Sequence, residues 1–148
     1  MRKMFPFLGG FAAGSMKRLY MIPLVGIAMA MYLAYYLVGV IYMLDAVAFS
    51  PSFSGVEVPI TIGDCLVLIG CGALMLEMGK AADAAASGLT DMVLSIILCV
   101  VAWLCLFNLG GFASATWLIL TALQTADAIG NSIVAVKASR RDYGVPLG

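Results

Sequence analysis

The chain has 148 residues, of which 64% are hydrophobic and only 11% are charged, and its formal net charge at pH 7 is zero. A soluble domain carries about 25% charged residues, so this composition excludes an ordinary water-soluble fold. The balanced charge also excludes the basic surface with which most proteins bind nucleic acid, and we expect no nucleic-acid partner. The composition predicts an integral membrane protein surrounded by lipid.

Residues 1–18 contain a short apolar patch between two basic pairs. Proline and glycine interrupt the patch, and no small-residue cleavage site follows it, so it lacks the features of a secretory signal peptide. We interpret the segment as retained and lying at the membrane interface, with its phenylalanine side chains turned toward lipid. A loosely attached tail is the alternative interpretation.

Four apolar runs follow, at residues 19–44, 58–79, 89–109 and 112–136. Each is long enough for the roughly 20 residues with which a helix crosses a hydrocarbon core of about 30 Å. Short connections between the last three runs predict antiparallel neighbours in an up-and-down series. The sequence therefore predicts an all-α, integral membrane four-helix bundle that forms a single transmembrane domain, with residues 137–148 as a tail.

The lysines and arginines all lie on one side of this four-span arrangement. The eight residues are Arg2, Lys3, Lys17, Arg18, Lys80, Lys137, Arg140 and Arg141. The two opposite connections, near 45–57 and 108–113, contain none. Because positively charged connections stay in the cytoplasm, both termini are predicted to be cytoplasmic. The connection at 45–57 is rich in Ser, Pro and Gly, and we expect it to form a short ordered cap or a partner surface.

Small residues recur at helical spacing in the first two spans. Gly26, Ala30 and Ala34 follow one another at four-residue steps, and Gly63 and Gly70 lie seven residues apart. Helices in lipid pack closely through such small faces, because the hydrophobic effect does not drive them together there. We predict that these five residues lie at helix–helix contacts, inside the bundle or between subunits.

Polar residues occur inside three of the predicted spans. Gln124, Asp127 and Asn131 form a stripe on the fourth helix, Glu77 lies near the end of the second, and Asp91 near the start of the third. At a rise of 1.5 Å per residue, Asp127 lies about 15 Å from the basic end of its helix, deepest of these three carboxyl groups. A charged carboxylate at mid-membrane costs at least about 2.5 kcal/mol, so we predict an inward-facing intramembrane polar cluster. The third span places further small and polar residues on one inward face: Gly88, Asp91, Ser95, Cys99 and Ala102.

Three roles are open for Asp127. Hydrogen bonds from Gln124, Asn131 or a tyrosine would make it a structural residue. Binding of a proton or cation would make it a transport site, and contact with another subunit would make it an assembly residue. For Glu77 and Asp91, which lie near the membrane border, snorkelling or helix capping is the simpler interpretation. The hydroxyl of Tyr32, in the middle of the first span, needs a partner that the Asp127 stripe could supply.

The remaining side chains give no indication of catalytic or metal chemistry. The chain has no His, and its four cysteines lie at spacings that suit neither a CxxC redox motif nor zinc. No nucleophile with an adjacent base and no phosphate-binding glycine loop is present. We therefore expect no enzyme activity, no metal and no cofactor.

The C-terminal half contains motifs that resemble a known group of proteins. They are DAIGN at 127–131, KASRRDYG at 137–144 and, before them, EMGK at 77–80. In these motifs the chain resembles small uncharacterised bacterial four-helix inner-membrane proteins. The resemblance implies a four-helix architecture in the bacterial cytoplasmic membrane with cytoplasmic ends, and it implies no catalytic role.

These observations lead to two functional hypotheses. The first is a non-enzymatic inner-membrane protein, either an accessory or assembly subunit of a larger membrane complex or a homo-oligomeric scaffold. The alternative is a small proton- or cation-coupled transporter or channel that acts as an oligomer around Asp127. A water-filled path to Asp127 would favour the transporter, whereas burial of Asp127 against neighbouring side chains would favour the scaffold.

Overall fold

The computed structural model describes residues 23–83 and 88–142. The predicted interfacial segment 1–18, residues 19–22 of the predicted first span and residues 143–148 of the predicted tail lie outside these ranges. The described chain is mostly helical. Its α-helices are α1 (Val25–Leu37), α2 (Ile62–Asp83), α3 (Gly88–Asn108) and α4 (Ala115–Asp142).

Three of these helices are long and apolar enough to cross a membrane, which indicates a membrane protein. The apolar stretches are Ile62–Gly79, Leu89–Asn108 and Ala115–Lys137. Helix α1 is apolar but has only 13 residues. Its length is therefore about 20 Å, shorter than a hydrocarbon core of about 30 Å. Within the described residues, α1 is thus much shorter than the apolar run 19–44 in which it lies.

Helix α1 ends inside that apolar run because Gly39 reverses the chain. Gly39 has a φ of 76°, a left-handed conformation that glycine adopts without strain. Its N–H donates to the carbonyl of Tyr36, and the N–H of Val40 donates to the carbonyl of Tyr35. This pair of bonds is a Schellman motif, which satisfies the last carbonyls of the helix. A 3-10 helix, Ile41–Asp45, follows.

The connection between α1 and α2 is a β-hairpin, which the all-α prediction did not include. Its strands are β1 (Val47–Phe49), β2 (Ser52–Phe53), β3 (Val56–Glu57) and β4 (Ile60–Thr61). Strand β1 pairs with β4 and β2 with β3, both antiparallel. At the tip, Ser54 and Gly55 have φ values of 52° and 82°. Positive φ at both central residues is the signature of a type I′ turn, whose twist matches that of the strands.

Helices α2 and α4 both begin at a hydroxyl residue that caps the free N–H groups. Thr61 Oγ1 accepts from the N–H of Asp64 at 3.1 Å, and Asp64 Oδ2 accepts from the N–H of Thr61 at 2.9 Å. These reciprocal bonds form a capping box. Ser114 Oγ accepts from the N–H of Trp117 at 3.1 Å at the start of α4. Asp64 therefore has a local structural role at the hairpin end of α2.

Helix α4 is the centre of the bundle. It packs against the other three helices, and it is the main partner of both α2 and α3. Helix α1 packs mainly on α2 and then on α4. The up-and-down series predicted from the short connections placed α2 beside α3, whereas in the structure both pack mainly on α4. Connection length limits which helices can be neighbours, but side-chain packing decides which contacts are extensive.

The predicted small-residue positions divide into two groups. Gly63 and Gly70 are buried, and a Cβ on Gly70 would lie 2.9 Å from Cδ2 of Leu120 on α4. Gly26 of α1 is half-buried, and a Cβ there would lie 2.8 Å from Cδ2 of Leu98 on α3. Ala30 and Ala34, by contrast, are exposed on the single chain. The glycines thus sit at close contacts inside the bundle, and the two alanines do not.

An aromatic cluster joins α1 to the start of α4. The rings of Tyr32 and Trp117 have centroids 4.9 Å apart, and Phe112 lies 4.6 Å from Trp117. The Tyr32 hydroxyl is 2.7 Å from Ser114 Oγ and donates to the carbonyl of Gly111 at 3.1 Å. Its partners therefore come from the turn before α4, and the Asp127 stripe does not supply them.

Candidate functional site

The predicted polar stripe of α4 meets α3 at a serine. Asp127 is only 3% exposed. Ser95 Oγ donates to Asp127 Oδ2 at 2.7 Å, and Gln124 Nε2 donates to the same oxygen at 3.1 Å. Asn131 Nδ2 donates to Oδ1 at 3.2 Å. Residues three and four positions apart lie on one helix face, which is why α4 alone supplies the carboxyl group and two of its donors.

Ser95 is the residue that connects the two helices. Besides its bond to Asp127, its hydroxyl oxygen accepts from Asn131 Nδ2 at 3.0 Å, and its carbonyl accepts from Gln124 Nε2 at 3.3 Å. The sequence placed Ser95 on an inward face of the third helix, but the predicted polar cluster did not include it. Only the alignment of α3 against α4 shows that Ser95 is the shared partner.

Hydrogen bonds between α3 and α4 continue away from Asp127 along both helices. Trp103 Nε1 donates to Thr125 Oγ1 at 3.1 Å, and Cys99 Sγ lies 3.4 Å from the same oxygen. Near the other end, Trp117 Nε1 donates to the carbonyl of Ala102 at 3.1 Å. We call this set of α3–α4 bonds, from Ser95 and Asp127 to Ala102 and Trp117, the polar seam. Along α3 the polar seam runs from Ser95 to Trp103, in the middle part of the helix.

The other two predicted carboxyl groups are buried close to Asp127. Glu77 is 1% exposed and Asp91 is 6% exposed. Both lie near enough that a negative charge on either would repel a negative charge on Asp127. Asp127 accepts hydrogen bonds at both of its oxygens. The structure thus brings the five predicted polar residues into one buried region.

Glu77 has a specific partner on another helix. Its Oε2 atom accepts from the backbone N–H of Leu24 at 2.7 Å, and Leu24 is the N-cap residue of α1. The first N–H groups of a helix have no partner within the helix, and its positive dipole end favours a carboxylate. Glu77 therefore caps a helix other than its own. The sequence indicated capping or snorkelling here, but it could not indicate which helix receives the cap.

Two buried polar atoms of α4 have no hydrogen-bond partner among the described residues. They are Gln124 Oε1 and Thr121 Oγ1, on side chains that are fully buried. The orientation of the Gln124 amide follows from its neighbours, because its NH₂ group faces two acceptors, Asp127 Oδ2 and the Ser95 carbonyl. Rotation of the amide would place three acceptors together. One acceptor atom of Gln124 therefore stays available next to the carboxylate.

Asp127 does not line either of two apolar grooves on the described surface. One, of about 420 Å³, lies between α1 and α3 and includes Gly26, Ala30 and Leu98. The other, of about 290 Å³, lies between α3 and α4 beside Thr125 and Ala128. Within residues 23–83 and 88–142, no group of three or more His, Cys, Asp or Glu side chains could hold a metal ion.

Comparison of the chain with protein-family models, with curated proteins and with solved structures gives no match. The fold and the polar seam define a class, a mostly helical protein with three helices apolar enough to cross a membrane and a hydrogen-bonded polar interior. A more specific function has to be argued from the contacts of its residues.

Proposed function

We propose that the protein is a non-enzymatic, multi-pass protein of the bacterial cytoplasmic membrane. It acts as an accessory or assembly subunit of a larger membrane complex or as a homo-oligomeric scaffold. The observation that carries this proposal is the enclosure of Asp127, which is 3% exposed and accepts hydrogen bonds from three side chains. A carboxylate held at both oxygens fixes α3 against α4, which is the task of a structural residue.

The surface of α1 supports a role in assembly. Ala30 and Ala34 are exposed, and Ala30 lines the apolar groove between α1 and α3. Small residues allow a neighbouring helix to approach its partner's backbone closely within lipid. A helix of another subunit, or of a second copy, would find its closest approach to the bundle at this groove.

The charge distribution supports cytoplasmic termini. Lys137 is exposed at the end of the apolar stretch of α4. The hairpin, which precedes the first residue of α2, carries Glu57 and contains no lysine or arginine. Since basic residues mark the cytoplasmic side, the hairpin lies on the outer side in this arrangement.

A second candidate is a small proton- or cation-coupled transporter or channel that acts as an oligomer around Asp127. The observation that favours it is the buried Gln124 Oε1 atom, which belongs to an amide bonded to Asp127 and has no hydrogen-bond partner among the described residues. Oxygen atoms beside a carboxylate are suitable ligands for a hard cation. The neighbouring carboxyl groups of Glu77 and Asp91 would strengthen the attraction for positive charge.

Asp127→Asn distinguishes the two candidates. The full-length protein and the variant are reconstituted in vesicles, and proton, Na⁺ and K⁺ fluxes are measured while subunit composition is followed by native mass spectrometry. Asp45→Asn, at an exposed carboxyl group, is the matched control. We expect the variant to assemble like the wild type and to show the same flux. A flux present in the wild type and in Asp45→Asn but lost in a normally assembled Asp127→Asn would contradict the scaffold proposal.

Assembly itself is tested at the α1–α3 groove. We expect the protein purified in mild detergent to carry further copies or other chains, and Ala30→Leu to reduce that association. Ala122→Leu makes the same change at an exposed alanine of α4 that does not line the groove. A wild-type protein that is monomeric and alone under native mass spectrometry would contradict the proposal.

A further inference from the structure

The β-hairpin has one entirely apolar face. Cross-strand pairing joins Phe49 to Ile60 and Phe53 to Val56. Both pairs belong to one register, and alternate residues of a strand point to the same face. The pair between them is kept by a bond of 3.0 Å from the N–H of Val58 to the carbonyl of Pro51. We call this set the apolar hairpin face: Phe49, Pro51, Phe53, Val56, Val58 and Ile60.

The opposite face of the hairpin carries its polar side chains, beside Pro59. Ser52 pairs with Glu57 there, and Ser50 lies one alternate position further along the same strand. Glu57 is the single charged residue in 47–61, so all of the hairpin's formal charge lies on this second face. The formal charge of the hairpin and its exposed phenylalanine side chains therefore lie on different faces.

Four of the six residues of the apolar hairpin face are exposed, and Pro51 and Ile60 are half-buried. Phe53 is 61% exposed, Val56 is 64% exposed and Phe49 is 52% exposed. A two-stranded hairpin is marginally stable in water unless its hydrophobic side packs against something. Contiguous exposed apolar residues of this kind mark a surface that contacts a protein or a membrane.

The position of the hairpin identifies lipid as the partner. Strand β4 ends at Thr61, and the apolar stretch of α2 begins at the next residue, Ile62. Before the hairpin, the exposed Tyr42 and Met43 continue the apolar surface as far as Asp45, an exposed charged residue next to β1. The hairpin thus starts at the level where a membrane-crossing α2 would leave the hydrocarbon core.

The open edges of the hairpin limit how deep it can lie. Each strand of a two-stranded ribbon has unpaired N–H and C=O groups along its outer edge. Hydrocarbon cannot satisfy these groups, which excludes the bilayer core. The interface between headgroups and acyl chains supplies water to the edges and apolar contact to one face.

We propose that the apolar hairpin face binds the outer leaflet of the membrane at the level of the headgroup–acyl boundary. The inference rests on the membrane placement in the proposed function. The partner is a phospholipid surface, and the polar face with Ser52 and Glu57 points to water. The competing arrangement is a protein bound to the same face, and the experiment must distinguish it from lipid binding.

The test uses full-length protein with its four cysteines replaced by serine and a single new cysteine. Phe53→Cys and Ser52→Cys are a matched pair, because these neighbours lie on opposite faces of one strand. Each is labelled with an environment-sensitive nitrobenzoxadiazole dye and reconstituted in phosphatidylcholine–phosphatidylglycerol vesicles that contain lipids with a spin label at acyl carbon 5 or 12. We expect the carbon-5 lipid to quench the dye at 53 several-fold more strongly than the dye at 52.

Two further positions make every result decisive. Val56→Cys, across the strand from Phe53, repeats the measurement with Phe53 intact and should behave like Phe53→Cys. Leu68→Cys, at a 60% exposed position of α2, should be quenched by the carbon-12 lipid. Quenching of the dye at 68 without preferential quenching at 53 and 56 would overturn the hairpin proposal. A protein partner would give this result too, and it would shield the dye at 53 from the aqueous quencher iodide only in native membranes that contain that partner. Absence of quenching at 68 would overturn the membrane placement and the hairpin proposal with it.

Discussion

The polar seam consists of buried polar side chains, whereas the apolar hairpin face consists mostly of exposed apolar side chains. In the seam, the polar side chains of Ser95, Gln124 and Asp127 are buried and bonded to one another. In the hairpin, Phe53 and Val56 are exposed. A water-soluble protein places these residue types the other way round. The difference shows that one chain meets two requirements of a membrane: the polar side chains of the seam are hydrogen-bonded to one another inside the helix bundle, and apolar groups face outward.

Asp127→Leu should have the largest effect on this contrast, because it removes the acceptor for three donors. Each buried donor left without a partner costs about 1–3 kcal/mol. We expect a large loss in the free energy of unfolding, measured by equilibrium titration with sodium dodecyl sulfate in mixed micelles. The hairpin should remain as exposed to aqueous quenchers as before, in those variant molecules that stay folded.

Asp127→Asn is the control for that variant. Its carbonyl oxygen can still accept from Ser95 and Gln124. The amide of Asn131 can rotate to accept from the new NH₂ group, although this rotation breaks its own bond to Ser95 Oγ. We expect most of the stability to be retained. Equal destabilisation by Leu and Asn would show that charge, and not hydrogen bonding, is what the seam requires of Asp127.

Gly70→Ala should have the next largest effect, because it tests the close packing of α2 against α4. A Cβ at Gly70 would lie 2.9 Å from Leu120 Cδ2 and 3.2 Å from Leu123 Cδ1. Overpacking of this kind costs about 1–3 kcal/mol. Gly72→Ala, on the exposed side of the same helix with no atom within 4 Å, should be neutral or slightly stabilising. Similar unfolding curves for the two variants would contradict the close packing of α2 against α4 at Gly70.

Gly55→Ala tests the hairpin alone. Gly55 has a φ of 82°, and a residue with a Cβ in this left-handed region costs about 1–2 kcal/mol. We expect faster amide hydrogen exchange in residues 47–61 with the unfolding of the helices unchanged. Gly110→Ala, where a Cβ would meet nothing within 4 Å, should leave exchange in the hairpin as it is. A loss of helix stability in Gly55→Ala would show that the hairpin and the bundle unfold together.

Thr125→Val should have the smallest effect. It removes the oxygen that Trp103 Nε1 contacts at 3.1 Å while keeping the shape of the side chain. Side-chain hydrogen bonds between membrane helices average about 0.6 kcal/mol. The expected signal is a small shift in the unfolding midpoint together with altered tryptophan fluorescence, and Thr90→Val at an exposed site of α3 is the control. An unchanged fluorescence spectrum would show that Trp103 does not donate a hydrogen bond to Thr125.

The amino-acid sequence by itself determined the class of the protein and the inward side of its helices. With 64% hydrophobic residues, the chain has too few polar groups to cover a surface in water, so long apolar helices follow from composition. The periodicity of Gln124, Asp127 and Asn131 places them on one face of a single helix. Such local arguments need only the geometry of one helix, and they located the buried polar residues.

Only the tertiary structure decided which residues meet across helices. Ser95 became the partner of Asp127, and Glu77 became the cap of α1, because contacts between positions 32 and 53 residues apart depend on how whole helices align. The hairpin also escaped prediction, since strands of two or three residues are too short for a periodic signal and its tip, Ser54–Gly55, is one short turn. Its apolar face becomes visible only when cross-strand pairing sets the register, because a shift by one residue would turn every side chain to the other face.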